Sequence, residues 1–372
     1  MKRTVVIAHP SPDLYGSDRM LVESVRALAA TERVVVTLPA EGPLQAVLRE
    51  AGAEVVLLAV PVLRKAYLSP AGLVRLAIAG LRALVPAVRL LRRERAAALY
   101  VNTVTLPLWL LAGVIARVPS LCHVHEAEEH PSGLVRGALA APLRLARLVV
   151  VNSRASAAVL GSLRTQVIYN GVDGPAEPAP LREELTGPIR LVLVGRWSPR
   201  KGTDLAVRAV GLLVERGYEA SLTLVGNVFP GYEWFEEELR AQAGPQTVFA
   251  GFQENVWAAF ADADIVLVPS RAEPFGNVAV EGMLAGRPVV AAATQGLVEI
   301  VHDGENGVLV RPDDVSALAD GVEVLVKDWK AAVDLAKAGN SDVLRRFSCD
   351  RYRDEILHAV HELIEARIRT AR

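Results

Sequence analysis

IVLVPSRAEPFGNVAVEGMLAG, running from Ile265 to Gly286, is the stretch whose reading decides the fold of this chain. Its apolar opening, IVLVPS, reads as a strand buried on both faces, as strands of a parallel sheet are. Pro274 and Gly276 then break the chain, and Asn277 is placed to cap a helix beginning at Val278. A helix N-terminus thereby stands at the carboxyl end of a strand. In open α/β sheets ligands gather there, because free N–H groups and the helix dipole favour an anion such as phosphate. Two carboxylates flank the turn, Glu273 before it and Glu281 one turn into the helix. Beside a phosphate they would repel unless they serve hydroxyls attached to it, and a ribose or a sugar is rich in those. The residues point to a site for a nucleotide sugar.

Strand and helix alternate on either side of this stretch, as a doubly wound α/β sheet requires. VVIAH at 5–9 is a strand, and the loop PSPDLYGSDRM carries Gly16 into a helix near Asp18. ERVVVTLP, a helix from Pro43 to Ala51, AEVVLLAV, AALYVNT, a helix from Leu106 to Ala116, RLVVVNS, a helix from Ser153 and TQVIYNG continue the array. Proline and glycine then crowd GPAEPAPLREELTGP, which marks a boundary. We therefore expect an N-terminal domain at residues 1–172, a linker at 173–188 and a C-terminal domain at 189–349, with a last helix at about 350–372 packing back on the first domain. The second domain restarts with IRLVLVG at 189–195, the loop RWSPRKG and a helix Asp204 to Arg216 capped by Thr203. SLTLVG, TVFAG, a helix from Val256 to Ala261, PVVAA, GVLV and a helix from Val315 complete it.

Composition bounds the function. With 372 residues, 51% of them apolar and 22% charged, the chain is a globular protein of about two domains. Cys122 and Cys349 are its only cysteines, so there is no disulfide framework and a reducing cytosol is expected. The apolar run after Met1-Lys2-Arg3 ends at Pro10 to Asp13, which suits a first strand better than a signal peptide. Arg75, Arg82, Pro86 and Arg89 interrupt the apolar region Leu68 to Leu91, against a spanning helix. Net charge is −1, yet residues 1–180 hold 20 Lys and Arg against 13 Asp and Glu, and the remainder 21 against 29. Between Arg64 and Arg95 eight basic residues face one acid, Glu94. Such a surface can lie on anionic lipid or be the solvated face of ordinary helices. No glycine-rich dinucleotide fingerprint or Walker sequence occurs, which removes the support for dehydrogenase and ATPase readings.

Several side chains carry candidate chemistry. Arg196, Arg200 and Lys201 lie in one strand-to-helix loop, where cations suit a diphosphate. His123 and His125 share one face of a strand, and Glu126, Glu128 and Glu129 after them would raise the pKa of a nearby histidine. HVHEAEEH lacks the helical pairing of a zinc site, and metal is not expected there. Asp262 and Asp264 imitate an acidic metal-binding pair but fit better as a helix end and a strand entry. His358 and His361 read as surface or packing residues of the last helix.

VGRWSPRKG, PSRAEPFGNVAVEGMLAG and GLVEIVHDGENGVLV resemble the motifs of the retaining glycosyltransferases of family 4, and NSRASAAV and VIYNGVD resemble the segments before that family's hinge. The resemblance covers nearly the whole chain. It implies a B-type glycosyltransferase (GT-B) fold, two Rossmann-like domains facing across a cleft, and a nucleotide-sugar donor, a UDP- or GDP-sugar. Arg196 and Lys201 would hold the diphosphate, with the main chain of Phe275, Gly276, Asn277 and Val278. Glu281 would bind the ribose and Glu273 the donor sugar, while His125 would touch that sugar and Gly16 would sit near the phosphates. The leaving phosphate would help to activate the acceptor hydroxyl, and no cofactor or metal is implied because the two cations replace it. The resemblance further implies a cytoplasmic enzyme of glycan, glycolipid or polysaccharide biosynthesis. With the basic N-terminal half it suggests a lipid-linked acceptor and a peripheral place on the inner membrane face; no nucleic-acid partner is expected. A nucleotide-sugar epimerase of the same fold and a non-catalytic nucleotide-sugar binder are the alternatives. Departures from the family pattern are Tyr15-Gly16-Ser17-Asp18 and Gln295-Gly296, where two glycines are common, and Gly282, where alanine is usual.

Overall fold

The structure is a computed structural model that describes residues 2–13, 16–63, 70–125, 137 and 140–370. It divides into two compact units, Met1–Gly171 with Cys349–Arg372, and Val172–Ser348. The first unit is built from strands β1 (Thr4–Ala8), β2 (Arg33–Leu38), β3 (Ala53–Leu57), β4 (Ala96–Val101), β5 (Ser120–Val124), β6 (Leu148–Val151) and β7 (Thr165–Val167). Helices α1 (Gly16–Ala29), α2 (Leu44–Glu50), α3 (Pro70–Arg93), α4 (Pro107–Ala116) and α5 (Arg154–Val159) alternate with them. The second unit holds β8 (Ile189–Val194), β9 (Ala220–Val225), β10 (Thr247–Gly251), β11 (Ile265–Val268), β12 (Val289–Ala292) and β13 (Val308–Val310). Its helices are α6 (Thr203–Glu215), α7 (Glu233–Gln242), α8 (Trp257–Asp262), α9 (Asn277–Leu284), α10 (Leu297–Ile300), α11 (Val315–Lys327) and α12 (Trp329–Arg346). A last helix, α13 (Cys349–Thr370), returns to the first unit.

Both sheets are parallel, with strand orders β3-β2-β1-β4-β5-β6-β7 and β10-β9-β8-β11-β12-β13. Each order reverses once, between β1 and β4 and between β8 and β11, and at such a reversal the loops leaving the two central strands diverge and open a crevice. In the first unit, Val5, Ile7, Val34 and Val36 face α1, α2 and the inner stripe of α13, which carries Tyr352, Ile356, Ala359, Val360 and Leu363. Val6, Ala8, Val35 and Leu99 face α3 and α4 on the other side of the sheet.

Local expectations fail where a few side chains decide the start or the burial of a helix. α6 begins at Thr203 itself: Gly202, at φ 67°, is its N-cap, and Thr203 makes no capping bond. α9 begins at Asn277 with Gly276, at φ 124°, as N-cap, so Asn277 is the first helical residue and not the cap. α7 was not expected because only Phe235 and Leu239 of EWFEEELRAQ are buried. α12 was missed for a different reason. Between Trp329 and Val343 its buried positions are the small residues Ala332, Ala336 and Gly339, and a Cβ on Gly339 would stand 2.7 Å from the carbonyl oxygen of Asn306. α3 runs through Pro86, which lies on the exposed side where the lost N–H bond costs least. No helix among the described residues is long and apolar enough to cross a membrane.

The proline-rich stretch at 173–188 is strapped to the second unit. Arg182 pairs with the fully buried Asp264 and accepts a hydrogen bond from the Trp329 indole at 2.8 Å through its carbonyl. Asp262 ends α8, and Asp264 enters β11 and also pairs with Arg190 at 3.1 Å. Burial pushes the Asp264 carboxyl up, but hydrogen bonds from Arg190 and Arg182 outweigh it and hold it below the ordinary aspartate value.

Candidate functional site

In the second unit the loops after β8 and β11 meet at the reversal of strand order. The loop after β8 turns through a short 3₁₀ segment, Pro199–Lys201, whose N-cap Ser198 accepts from the Lys201 N–H at 3.3 Å. Trp197 pins it from beneath, buried and edge-on to Phe249 with ring centroids 5.5 Å apart. Arg196 lies with its guanidinium carbon 3.1 Å from the ring centroid of Phe229, in the loop after β9. Arg271 fastens the two loops together. Its guanidinium donates to Asp204 at 2.8 and 2.7 Å and to the Pro199 carbonyl at 2.6 Å, and its N–H donates to the Arg200 carbonyl at 2.8 Å.

This scaffold brings Lys201 and Glu273 together although 72 residues separate them: Lys201 Nζ donates to Glu273 Oε2 at 2.5 Å, and Ser270 Oγ donates to the same oxygen at 3.1 Å. Glu273 is buried, which pushes its pKa up, but the charge and hydrogen bond of Lys201, then Arg200 and Ser270, hold it below the usual glutamate value. The carboxylate is therefore ionised at neutral pH. It can accept hydrogen bonds from hydroxyls but cannot serve there as an acid.

The turn after Glu273 is shaped by close contacts. A Cβ on Gly276 would stand 2.6 Å from Leu297 Cδ2, and one on Gly296 would stand 2.4 Å from the Phe275 carbonyl oxygen. Gly296 N–H donates to the Glu273 carbonyl at 3.0 Å, which closes the turn from the other side. Gln295 adopts φ 40°, the left-handed region, which is the physical reason glycine suits that position. Gly282, inside α9, packs against β11, where a Cβ would be 3.1 Å from Val266. Phe275 turns its side chain into the core, edge-on to Phe347 at 5.4 Å, so only its main chain belongs to the turn. α9 then presents its first-turn N–H groups, at Asn277 and Val278, along its own dipole, and Glu281 follows one turn later.

In the first unit the structure adds residues that sequence reasoning missed. His9, Asn102 and His125 directly follow β1, β4 and β5, and Gly16 opens α1. His9 Nε2 donates to Asp18 Oδ1 at 2.9 Å, and the Asn102 amide N–H donates to His9 Nδ1 at 3.1 Å. The other end of that amide accepts from His125 Nε2 at 3.0 Å. One asparagine thus fixes the tautomers of two histidines. His123 and His125 do share a face, with ring centroids 4.0 Å apart, and Tyr100 O–H donates to His123 Nδ1 at 2.7 Å.

The expected upward shift of these histidines is overturned. Burial drives His123 well below the ordinary value, with the neighbouring His125 adding to it; burial and His9 lower His125 to about 4, against a smaller opposing effect of Asp18. The acidic run Glu126, Glu128 and Glu129 lies outside the described residues, as do Tyr15 and, in the basic region, Arg64 and Lys65. Positions 9 and 102 could have been found from the rule that ligands gather beyond the carboxyl ends of the strands at a reversal. That rule needs the strand order.

Comparison with known proteins agrees with this geometry. Residues 188–328 match the family model described as Glycosyl transferases group 1. Glycogen synthase of Mycobacterium tuberculosis is 31% identical over 245 residues, 61% of this chain and 59% of that protein. An uncharacterised glycosyltransferase of Methanocaldococcus jannaschii is 33% identical over 172 residues, 45% of this chain and 43% of that protein. The chain thus spans roughly half the length of the curated relatives it matches. Among solved structures, HepE of Anabaena in complex with UDP-glucose is similar at 25% identity and a TM-score of 0.79, covering 96% of this chain and 99% of that one. The two parallel-sheet Rossmann-like units are those of a GT-B fold, and the matches support a glycosyltransferase.

Proposed function

We propose that a protein of this fold and family likeness acts as a retaining, metal-independent glycosyltransferase of family 4, moving a sugar from a UDP- or GDP-sugar to an acceptor hydroxyl. The observation that carries the proposal is the buried Lys201–Glu273 pair beside the N-terminus of α9, at the reversal of the second sheet. A dipole end and two cations, Arg196 and Lys201, suit a diphosphate. An ionised, buried carboxylate next to them suits sugar hydroxyls. The solved complex of HepE with UDP-glucose supports the donor class.

In this mechanism the bond between the anomeric carbon and the donor phosphate oxygen breaks, and the charge left on the diphosphate develops beside Arg196, Lys201 and the first-turn N–H groups of α9. Donors aimed at developing charge are usually the largest catalytic contribution. The acceptor oxygen attacks from the face the phosphate leaves, so configuration is retained, and its proton passes to the departing phosphate. Glu281 binds the ribose hydroxyls, Glu273 those of the donor sugar, and neutral His125 contacts that sugar as a hydrogen-bonding group. Gly16 stands near the phosphates, and no metal is needed.

Incubation with a panel of nucleotide sugars is expected to give donor hydrolysis or transfer, lost in Lys201→Ala and Glu273→Ala. Full turnover in both variants would sink the assignment. Donor interconversion without any acceptor would favour the epimerase alternative, and tight donor binding without turnover a non-catalytic binder. The acceptor we propose is lipid-linked, in glycan, glycolipid or polysaccharide biosynthesis at the cytoplasmic face of a membrane, a reading that starts from the basic N-terminal half.

A further inference from the structure

α3 is apolar on two opposite sides. Its inner positions Ala83, Ala87, Leu90 and Leu91 pack on the first sheet, as a covering helix must. Opposite them Val74, Ile78, Leu81 and Val85 are exposed at 60%, 46%, 71% and 50%. Spacings of four, three and four residues put these side chains on one stripe, within about 60° of arc at 100° per residue. A helix that only covers a sheet is polar on that side. The neighbouring α4, which packs along α3, exposes Leu111, Val114 and Ile115 as well, and Leu145 is exposed on the short 3₁₀ segment Ala141–Leu145 beside it.

Charge on this layer has one sign. The segments 70–93, 107–117 and 141–147 contain eight arginines and no carboxylate. Arg75, Arg82 and Arg89 run beside the stripe of α3, all exposed. Arg117, Arg144 and Arg147, with Arg367 of α13, line a recess of about 540 Å³ whose apolar walls include Val114 and Leu145. Of the eight, Arg93 is held by Glu94 at 2.8 Å and Arg92 donates to the Ile115 carbonyl at 3.1 Å; the other six have no ion-pair partner among the described residues. Exposed apolar rows rimmed by unpaired arginines match a surface that is apolar beneath and anionic on top.

We infer that the outer face of α3 and α4 docks this protein on an anionic phospholipid bilayer, with Val74, Ile78, Leu81 and Val85 entering the headgroup boundary and the arginines meeting lipid phosphates. The inference deepens the lipid-linked reading of the function by naming the surface and its partner. An amphipathic helix binds in this way through buried apolar area plus attraction to anionic headgroups, and each basic residue near such a surface strengthens partitioning on the order of fivefold.

The test is co-sedimentation of the full chain with phosphatidylcholine vesicles and with equimolar phosphatidylcholine–phosphatidylglycerol vesicles, alongside its donor turnover in vesicle-free buffer. Binding is expected only to the anionic vesicles and is expected to weaken as salt is raised. Leu81→Gln with Ile78→Gln should reduce it at unchanged charge, and Arg82→Gln with Arg89→Gln should reduce it about 25-fold. Both pairs are exposed, so vesicle-free donor turnover should stay at the parent level. Equal binding to neutral vesicles, or binding indifferent to both pairs, would overturn the inference. So would concentration-dependent self-association that Leu81→Gln abolishes in a protein with no vesicle binding, since the face would then be an interface between copies. Vesicle binding without donor turnover would leave the docking face standing and count against the catalytic reading alone.

Discussion

Replacing Lys201 by methionine keeps the length of the side chain and removes its charge, and the structure says what is left behind. The Glu273 side chain is 10% exposed and accepts hydrogen bonds from Lys201 Nζ at 2.5 Å and from the Ser270 hydroxyl at 3.1 Å. Removing one partner of a buried pair costs about 3–5 kcal/mol, because the other charge stays buried and uncompensated. Lys201 is itself 18% exposed, so the cost falls at or below the bottom of that range, about 2–3 kcal/mol. With a urea dependence of about 2 kcal/mol per molar, the second unit should unfold roughly 1 M earlier. Tryptophan fluorescence suits the assay, since Trp197, Trp234, Trp257 and Trp329 lie in that unit and only Trp109 in the other. Two further results test the cause. In the variant the Glu273 carboxyl loses its largest downward influence while burial still pushes it up, so the deficit should shrink as pH falls and the carboxyl protonates. Lys201→Met combined with Glu273→Gln should be more stable than Lys201→Met alone, because no charge is then stranded. Unchanged unfolding of Lys201→Met at neutral pH, or a double variant no better than the single one, would refute the reasoning.

Four further outcomes are expected. Gly276→Ala puts a Cβ at φ 124° and 2.6 Å from Leu297 Cδ2, which should destabilise the second unit by about 3 kcal/mol in urea unfolding and remove donor turnover. Asn102→Ala removes the amide that holds His9 Nδ1 and His125 Nε2 and should lower kcat more than it raises donor KM, while far-UV circular dichroism stays unchanged. His125, held neutral with its pKa lowered to about 4, leaves the folded state binding fewer protons than the unfolded chain between its ordinary value of 6.5 and 4. Its contribution to stability is therefore intact above pH 6.5 and lost as pH falls toward 4, by roughly 3 kcal/mol at 1.36 kcal/mol per unit, which comparison of the parent with His125→Phe in urea titrations across that range would read. Dialysis against a chelator should leave donor turnover unchanged, and its loss with recovery on adding a divalent cation would refute the metal-independent mechanism.

What the sequence by itself determined follows from local physics. Buried parallel strands announce themselves as runs such as IRLVLV and IVLV, because both faces of each are covered. Glycine and proline at 274–276 mark the turn, and the spacing of Glu273 and Glu281 needs no knowledge of any distant residue. Helix starts at Thr203 and Asn277 were misjudged by one residue because glycine N-caps with positive φ carry no side-chain signal. α12 stayed hidden because three of its five buried positions, Ala332, Ala336 and Gly339, are small, so that only Trp329 and Val343 mark its inner face strongly. Tertiary structure alone decided which strands lie side by side. That order brings Lys201 to Glu273, aligns His9, Asn102 and His125 through one amide, and replaces the acid-raised histidines expected from neighbours in sequence by histidines that burial keeps neutral. A hydrogen bond across 72 residues, and the desolvation that sets a pKa, depend on what the fold packs around a group, and a linear pattern does not contain that information.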